Sequence, residues 1–120
     1  MARIFANNAT TTLANALLIA DRTITVTPGT GGVFPAVDFT GANEWMDMTL
    51  EDVNGQIEIV RCITHDPGSD DFTLASDGRG LEGTSAADFN AGTRVELRLT
   101  AAALNGWLQK DGDVIDGGDF

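Results

Sequence analysis

The stretch EWMDMTLEDVNGQIEIVRCIT, residues 44–64, decides the fold because it has the pattern of a β-hairpin. In its first half Met46, Met48 and Leu50 alternate with polar residues, which places them on one face of a strand. Asn54-Gly55 follows, and this pair readily adopts the positive φ angles of a two-residue hairpin turn. The sequence therefore predicts two long antiparallel strands joined at this turn.

The return strand of the hairpin has two different faces. One face carries three isoleucines, and the other carries a mixed set: Ile57, Ile59 and Ile63 against Glu58, Val60 and Cys62. Arg61 interrupts the isoleucine face, so we expect it near a strand end or at an interface. Cys62 alternates with apolar neighbours, which predicts a buried thiol rather than a reactive one.

Further strand patterns lie on both sides of the hairpin. They are residues 9–13 (ATTTL), 22–27 (RTITVT), 33–39 (VFPAVDF), 72–76 (FTLAS) and 93–100 (TRVELRLT). Pro35 restricts the third of these to an edge strand or to irregular chain, because proline cannot donate a ladder hydrogen bond. Six or seven short strands with regular turns predict a mainly β fold, a small antiparallel β-sandwich or barrel.

A single short helix is predicted at about residues 100–110, in TAAALNGWLQK. Ala101, Leu104 and Leu108 fall at helical spacing with Trp107 beside them. A helix of this length is marginal by itself in water, so it must dock on something. We expect these four residues to form an oligomer interface. The predicted organisation is one attachment domain, residues 1–110, followed by an acidic Gly/Asp-rich tail, residues 111–120.

Length and charge limit the partners. A chain of 120 residues fits one domain, and its net charge of −11 repels phosphate backbones and anionic lipid. We therefore expect neither nucleic acid nor a membrane as a partner. The N-terminal residues MARIFANN lack the long apolar stretch of a secretory signal, which predicts synthesis in a cytoplasm.

The residue types that catalyse reactions are sparse. Cys62 and His65 are the only cysteine and histidine, too few for a zinc site, and we expect His65 to be exposed at a turn. Nucleophilic catalysis needs a base beside the nucleophile, and a Cys62–His65 dyad is the only arrangement available. The sequence therefore predicts no enzyme, no catalytic residues and no cofactor.

Three features of the sequence bear on ligand binding: the acidic tail, two glycine-rich segments and a pair of aromatic residues. Tail carboxylates could attract Ca²⁺, but their spacing does not match an EF-hand and no metal site is predicted: Asp111, Asp113, Asp116 and Asp119. The GTGG and GRGLEG segments lack the lysine of a phosphate loop, so their glycines are interpreted as turn residues. Trp45 and Phe39 could offer a platform for a sugar.

The chain resembles a segment from the N-terminal regions of tail-fibre and related virion proteins of tailed bacteriophages. The matching residues form three groups along residues 57–104: Glu58, Ile59, Val60 and Thr64; Arg79, Gly80, Glu82, Gly83, Thr84 and Ala86; Gly92, Val95, Leu97, Arg98, Thr100 and Ala101. The resemblance extends loosely over residues 5–110, and the run RGLEGT is its most specific part. The insertion of residues 76–78 before Arg79 departs from the family pattern.

The resemblance implies a structural role: a tail-fibre or baseplate attachment protein that anchors a fibre to the virion, typically as a homotrimer in contact with other virion proteins. In this interpretation Arg79, Gly80, Glu82, Gly83 and Thr84 order a loop and fix strand register, with Glu82 available to pair with Arg79 or Arg98. Two alternatives stay open at this point. One is a capsid-decoration or neck protein, and the other is a receptor- or glycan-binding module.

Overall fold

The computed structural model describes residues 2–3 and 9–98. Within them eight strands occur: β1 (Ala2–Arg3), β2 (Thr10–Thr12), β3 (Thr23–Thr25), β4 (Val37–Asp38), β5 (Glu44–Glu51), β6 (Ile57–His65), β7 (Asp71–Leu74) and β8 (Arg94–Glu96). Helical structure in this part of the chain is limited to a 3₁₀ turn, Gly31–Val33, and one short helix, α1, Phe39–Ala42. The mainly β prediction is confirmed. The predicted helix at 100–110 lies outside the described residues.

The hairpin predicted from residues 44–64 is confirmed and forms the centre of the sheet. Its strands β5 and β6 pair antiparallel from Met46 opposite Cys62 to Glu51 opposite Ile57. The turn differs from the prediction, because Asp52 N donates to Gln56 O at 3.1 Å and the loop is the three residues 53–55. Only Gly55 takes a positive φ, 82°, which is typical of a three-residue hairpin loop.

The sheet is antiparallel along its main path and curls strongly. The strand order is β2-β8-β5-β6-β7-β3, while β4 pairs antiparallel with β6 and β1 pairs parallel with β5. The two ends of the path meet at a single bridge between Leu13 and Val26. Beside it, the hydroxyls of Thr12 and Thr27 lie 2.7 Å apart. The sheet is therefore bent into a half-barrel. Its two edges touch at the Leu13–Val26 bridge and the adjacent Thr12–Thr27 contact.

The core fills the inside of this curl. It is built from side chains of all the long strands and of the segments that connect them: Leu13, Leu17, Ile24, Val26, Phe34, Met46, Met48, Leu50, Val60, Cys62, Phe72, Leu74, Phe89 and Val95 are among its members. On β6 the inward face is the mixed one, so Val60 and Cys62 are fully buried while Ile57 is exposed. Glu58 shares that inward face and is also fully buried. A carboxylate in such a position needs partners.

The flanking strand predictions are confirmed in place but shortened. The run 22–27 becomes β3 with Ile24 and Val26 buried, and 33–39 contributes only β4, which pairs with the end of β6. Helix α1 was not predicted; it begins at Phe39, and the carboxylate of the N-cap residue Asp38 accepts a hydrogen bond from Gly41 N at 2.8 Å. Among the described residues no helix has the length and apolar character needed to cross a bilayer.

Candidate functional site

The segment from Gly78 to Ala87 lies along the edge of β6 beyond the end of β7. Arg61 N donates to Gly78 O at 2.8 Å, and Leu81 N donates to Ile59 O at 2.9 Å. Ile59 N in turn donates to the hydroxyl of Thr84 at 3.0 Å. This segment, called the strap below, therefore continues the ladder of the sheet without being a regular strand.

The strap is fastened by an ion pair between Arg79 and Glu58. The guanidinium Nε is 2.6 Å from one carboxylate oxygen of Glu58, and Nη2 is 3.0 Å from the other. The same two oxygens accept hydrogen bonds from Gly80 N and Ala87 N, each at 2.9 Å. Glu58 thus receives four hydrogen bonds, which match its lone pairs and offset its complete burial.

Arg79 uses its remaining donors on backbone carbonyls. Nη1 donates to Leu18 O at 2.7 Å and to Asp21 O at 2.9 Å, and Nη2 donates to Ala87 O at 2.8 Å. With the two bonds to Glu58, all five N–H groups of the guanidinium are satisfied. One arginine therefore joins β6, the strap and the 18–21 turn.

Backbone conformation explains the other residues of the RGLEGT run. Gly80 has a φ of 61°, and a Cβ there would lie 2.8 Å from Ala86 N. Glu82 and Gly83 also have positive φ angles, 53° and 84°. The Thr84 hydroxyl closes this turn by donating to Leu81 O at 2.6 Å. The role of the run in ordering a loop and fixing strand register stays a prediction.

The predicted partner of Arg79 was wrong. Glu82 is exposed at the turn, whereas Arg79 reaches the buried Glu58. Arg98 also has other partners, since it donates to Glu51 at 2.5 Å and to Glu96 at 2.6 Å. The hydrogen bonds to both carboxylates raise the pKa of Arg98, that to Glu51 most.

Arg61 was predicted near a strand end or at an interface, and it lies in the middle of β6 rather than near its end. It faces Asp47 directly across the hairpin and donates to both carboxylate oxygens, at 2.8 and 3.0 Å. The hydrogen bonds to Asp47 raise the pKa of Arg61. Its guanidinium also lies 3.9 Å from the ring centre of Trp45, a cation–π contact. Arg61 therefore occupies one face of the indole, which is then not open to a sugar.

Cys62 and His65 are both buried in the folded chain. Burial raises the pKa of the Cys62 thiol to about 12, so the thiol stays protonated and unreactive at neutral pH. His65 was expected to be exposed; instead it is 3% exposed at the end of β6. Its ring stacks on Phe72, with centroids 3.9 Å apart. The two ring nitrogens face backbone carbonyls at 2.8 and 3.1 Å.

The glycine loop that follows Pro28 wraps around a carboxylate of its own chain. Asp70 accepts hydrogen bonds from Gly31 N at 2.9 Å and from Gly29 N at 3.1 Å. These amides, Gly31 first, lower the pKa of Asp70. The loop therefore resembles an anion-binding nest whose anion is supplied by the neighbouring turn.

Two groups of predicted residues have no structural outcome. Ala101, Leu104, Trp107 and Leu108 lie outside the described residues, and so do the four tail aspartates considered for Ca²⁺. Within residues 9–98 no three His, Cys, Asp or Glu side chains are grouped closely enough to hold a metal ion.

The chain matches no protein-family model, and it matches none of the curated proteins. The role of Glu58 was missed at the level of sequence, although one signal was present: a lone acid that shares one strand face with Val60 and Cys62. Its partner, 21 residues further along, follows a turn that sequence patterns do not resolve.

Proposed function

We propose that the chain is a structural component of a tailed-bacteriophage virion, a tail-fibre or baseplate attachment protein. In this role it assembles as a homotrimer and anchors a fibre to the particle, in contact with other virion proteins. The finer architecture that we propose is a small barrel closed at the Leu13–Val26 seam, with a short helix at about 100–110 that joins the copies.

The observation that carries the proposal is the convergence of the residues behind the resemblance. They come from separate parts of the sequence, yet Glu58 binds Arg79 and Gly80, and Ile59 binds Thr84. If the residues of a motif together build one structural element, they are expected to contact each other in the folded chain. This contact favours an architectural role for the motif, as an attachment module requires.

The state of the reactive groups supports the same role. Cys62 is buried with a raised pKa, and the carboxylates of Glu58 and Asp70 accept hydrogen bonds from the backbone. The two carboxylates hold backbone amides of loops, and the buried thiol stays protonated, so these groups have structural roles in the fold. The proposal therefore does not include catalysis.

The location in the virion is tested by immunogold electron microscopy. An antibody raised against the purified chain is applied to intact tailed-phage particles. Labelling at the tail tip or fibre base, at a few copies per particle, is expected. Dense labelling over the head would instead assign the chain to capsid decoration, and particles without label would refute a virion role.

The oligomeric state is tested by light scattering on the full chain at micromolar concentration. A trimer of 12.6 kDa subunits has a mass of about 38 kDa. Replacing Leu104 by Asp puts a charge into the predicted apolar stripe, so we expect monomers, because burying an unpaired charge is unfavourable. The matched control is Val53→Asp, at a hairpin position that is 98% exposed, which leaves the mass unchanged. A monomeric wild-type chain would contradict the trimer.

A further inference from the structure

His65 is the one histidine of the chain, and both of its ring nitrogens point at hydrogen-bond acceptors. Nδ1 is 2.8 Å from Pro35 O, in the segment 28–37 that carries the glycine loop. Nε2 is 3.1 Å from Ser69 O, in the turn between β6 and β7. A carbonyl oxygen can only accept, so each of the two contacts needs a hydrogen on the ring.

The neutral imidazole cannot provide both hydrogens. It has one N–H, so one contact is a hydrogen bond and the other brings two lone pairs together. The imidazolium has two N–H groups and satisfies both carbonyls. Its ring is held in place by Phe72, whose plane is tilted by only 10° from that of the imidazole. A cation above an aromatic face is also favourable.

The ionisable groups of the 66–70 turn, β4 and β7 are acidic, and on β6 itself Arg61 is basic. The acidic groups are Asp66 and Asp70 in the turn, Asp71 on β7 and Asp38 on β4, while segment 28–37 has no ionisable side chain. Asp70 is coupled to the ring most clearly, since a positive charge on His65 adds to the effect of the glycine amides in lowering the pKa of Asp70. Acidic side chains therefore lie on three of the elements around the ring.

We propose that His65 is a proton-dependent latch that holds segment 28–37 and the 66–70 turn on the end of β6. When the ring is protonated, both carbonyls are bound. When it releases one proton to solvent, the shorter contact to Pro35 keeps its hydrogen and the contact to Ser69 is lost. Protonation of the ring therefore decides whether one carbonyl or both are bound, and histidine is the side chain type whose charge changes nearest to neutral pH.

Loss of the Ser69 contact has a defined structural consequence. Ser69 O is packed so closely against Gly31 that a Cβ on Gly31 would lie 2.0 Å from it. The next residue, Asp70, holds the amides of Gly29 and Gly31. Movement of the Ser69 carbonyl therefore loosens the glycine loop, and this loop is closed at acidic pH and more open at alkaline pH.

The latch is tested by NMR on the full chain labelled with ¹⁵N, in which a single histidine gives an unambiguous ring signal. At pH 5 both ring nitrogens are expected to have shifts of protonated nitrogens, and at pH 8 only Nδ1. Hydrogen exchange at Gly31 N is expected to accelerate over this range by several-fold more than at Gly55 N, which serves as the internal control at the hairpin turn. A neutral ring throughout, an Nε2–H tautomer at pH 8, or an unchanged Gly31-to-Gly55 ratio would each overturn the proposal.

His65→Gln provides the matched variant. Glutamine has a fixed donor and a fixed acceptor and does not titrate, so the ratio of exchange rates is expected to be flat from pH 5 to 8. A pH response that persists in this variant would assign the effect to another group. The ring shifts and exchange rates of the unaltered chain decide the question even if the variant fails to fold.

Discussion

Two loops are fastened to the two ends of the same strand, and the side chains that fasten them differ in how completely they are satisfied. At the start of β6, Glu58 and Arg79 hold the strap, and every donor and acceptor of the pair has a partner. At the end of β6, His65 holds segment 28–37 through two carbonyl contacts that a neutral ring cannot both satisfy. One fastening is saturated and the other depends on a proton.

The difference shows that buried polar groups can either fix one conformation or respond to a change of protonation. A saturated network gains nothing from a change of protonation or geometry, so it fixes one conformation of the strap. A network with one hydrogen too few gains a hydrogen bond when a proton is added, so it can respond to its surroundings. In an attachment module the strap then sets a permanent shape, and the glycine loop is the part that can move.

The largest expected effect comes from breaking the saturated end. Arg79→Ala leaves the carboxylate of Glu58 buried without its cation and removes hydrogen bonds from the Leu18 and Asp21 carbonyls. We expect the free energy of unfolding to fall by about 3–5 kcal/mol, the usual cost of a buried charge that has lost its partner. Urea unfolding followed by tryptophan fluorescence measures this change.

Arg94→Ala is the control for this experiment. Arg94 is about half exposed and lies 3.6 Å from Glu96, so its loss is expected to change the free energy of unfolding by less than about 1 kcal/mol. Arg79→Lys keeps the charge but has too few donors for the same set of partners, and it should fall between the two. Equal losses for Arg79→Ala and Arg94→Ala would show that the strap is not held by this pair.

Sequence patterns predicted the strand hairpin because alternation and a turn pair are local signals. Met46 and Met48 lie on the inward face as their spacing requires. The same patterns could not show that the inward face of β6 contains Glu58, because that depends on an arginine brought back by an irregular segment. The exposed position predicted for His65 failed for a related reason: the residues that cover it, from Pro35 to Phe72, meet only in the folded chain.

The second prediction concerns the other end of β6, where packing of the glycine loop holds the proton-dependent fastening in place. Gly31→Ala would place a methyl group 2.0 Å from Ser69 O, a backbone atom that cannot move without shifting the turn. We expect a loss of about 1–3 kcal/mol, as for other overpacked sites. Urea unfolding at pH 5 gives the measurement.

Gly68→Ala, in the adjoining turn, is the appropriate comparison for Gly31→Ala. A Cβ at Gly68 would meet only the side chain of Asp66, at an ordinary contact distance of 3.5 Å. This variant is therefore expected to be close to neutral. A Gly31→Ala protein as stable as the Gly68→Ala protein would mean that the glycine loop is not packed against the Ser69 carbonyl.

The smallest expected effect is the pH dependence that Asp70 contributes to the same loop. The Gly31 and Gly29 amides lower the pKa of Asp70 in the folded chain. The ionised carboxylate therefore stabilises the fold above the unfolded pKa of about 4. This contribution is lost as the pH falls through the lower pKa of the folded chain. Asp70→Asn removes the charge and its titration. The unaltered chain should therefore be the more stable of the two at pH 6, and the difference should shrink towards pH 3, because other carboxylates titrate in both proteins and cancel. Urea midpoints at pH 6, 4 and 3 test this, and a difference that stays constant across the series would show that the glycine amides do not favour the ionised form of Asp70.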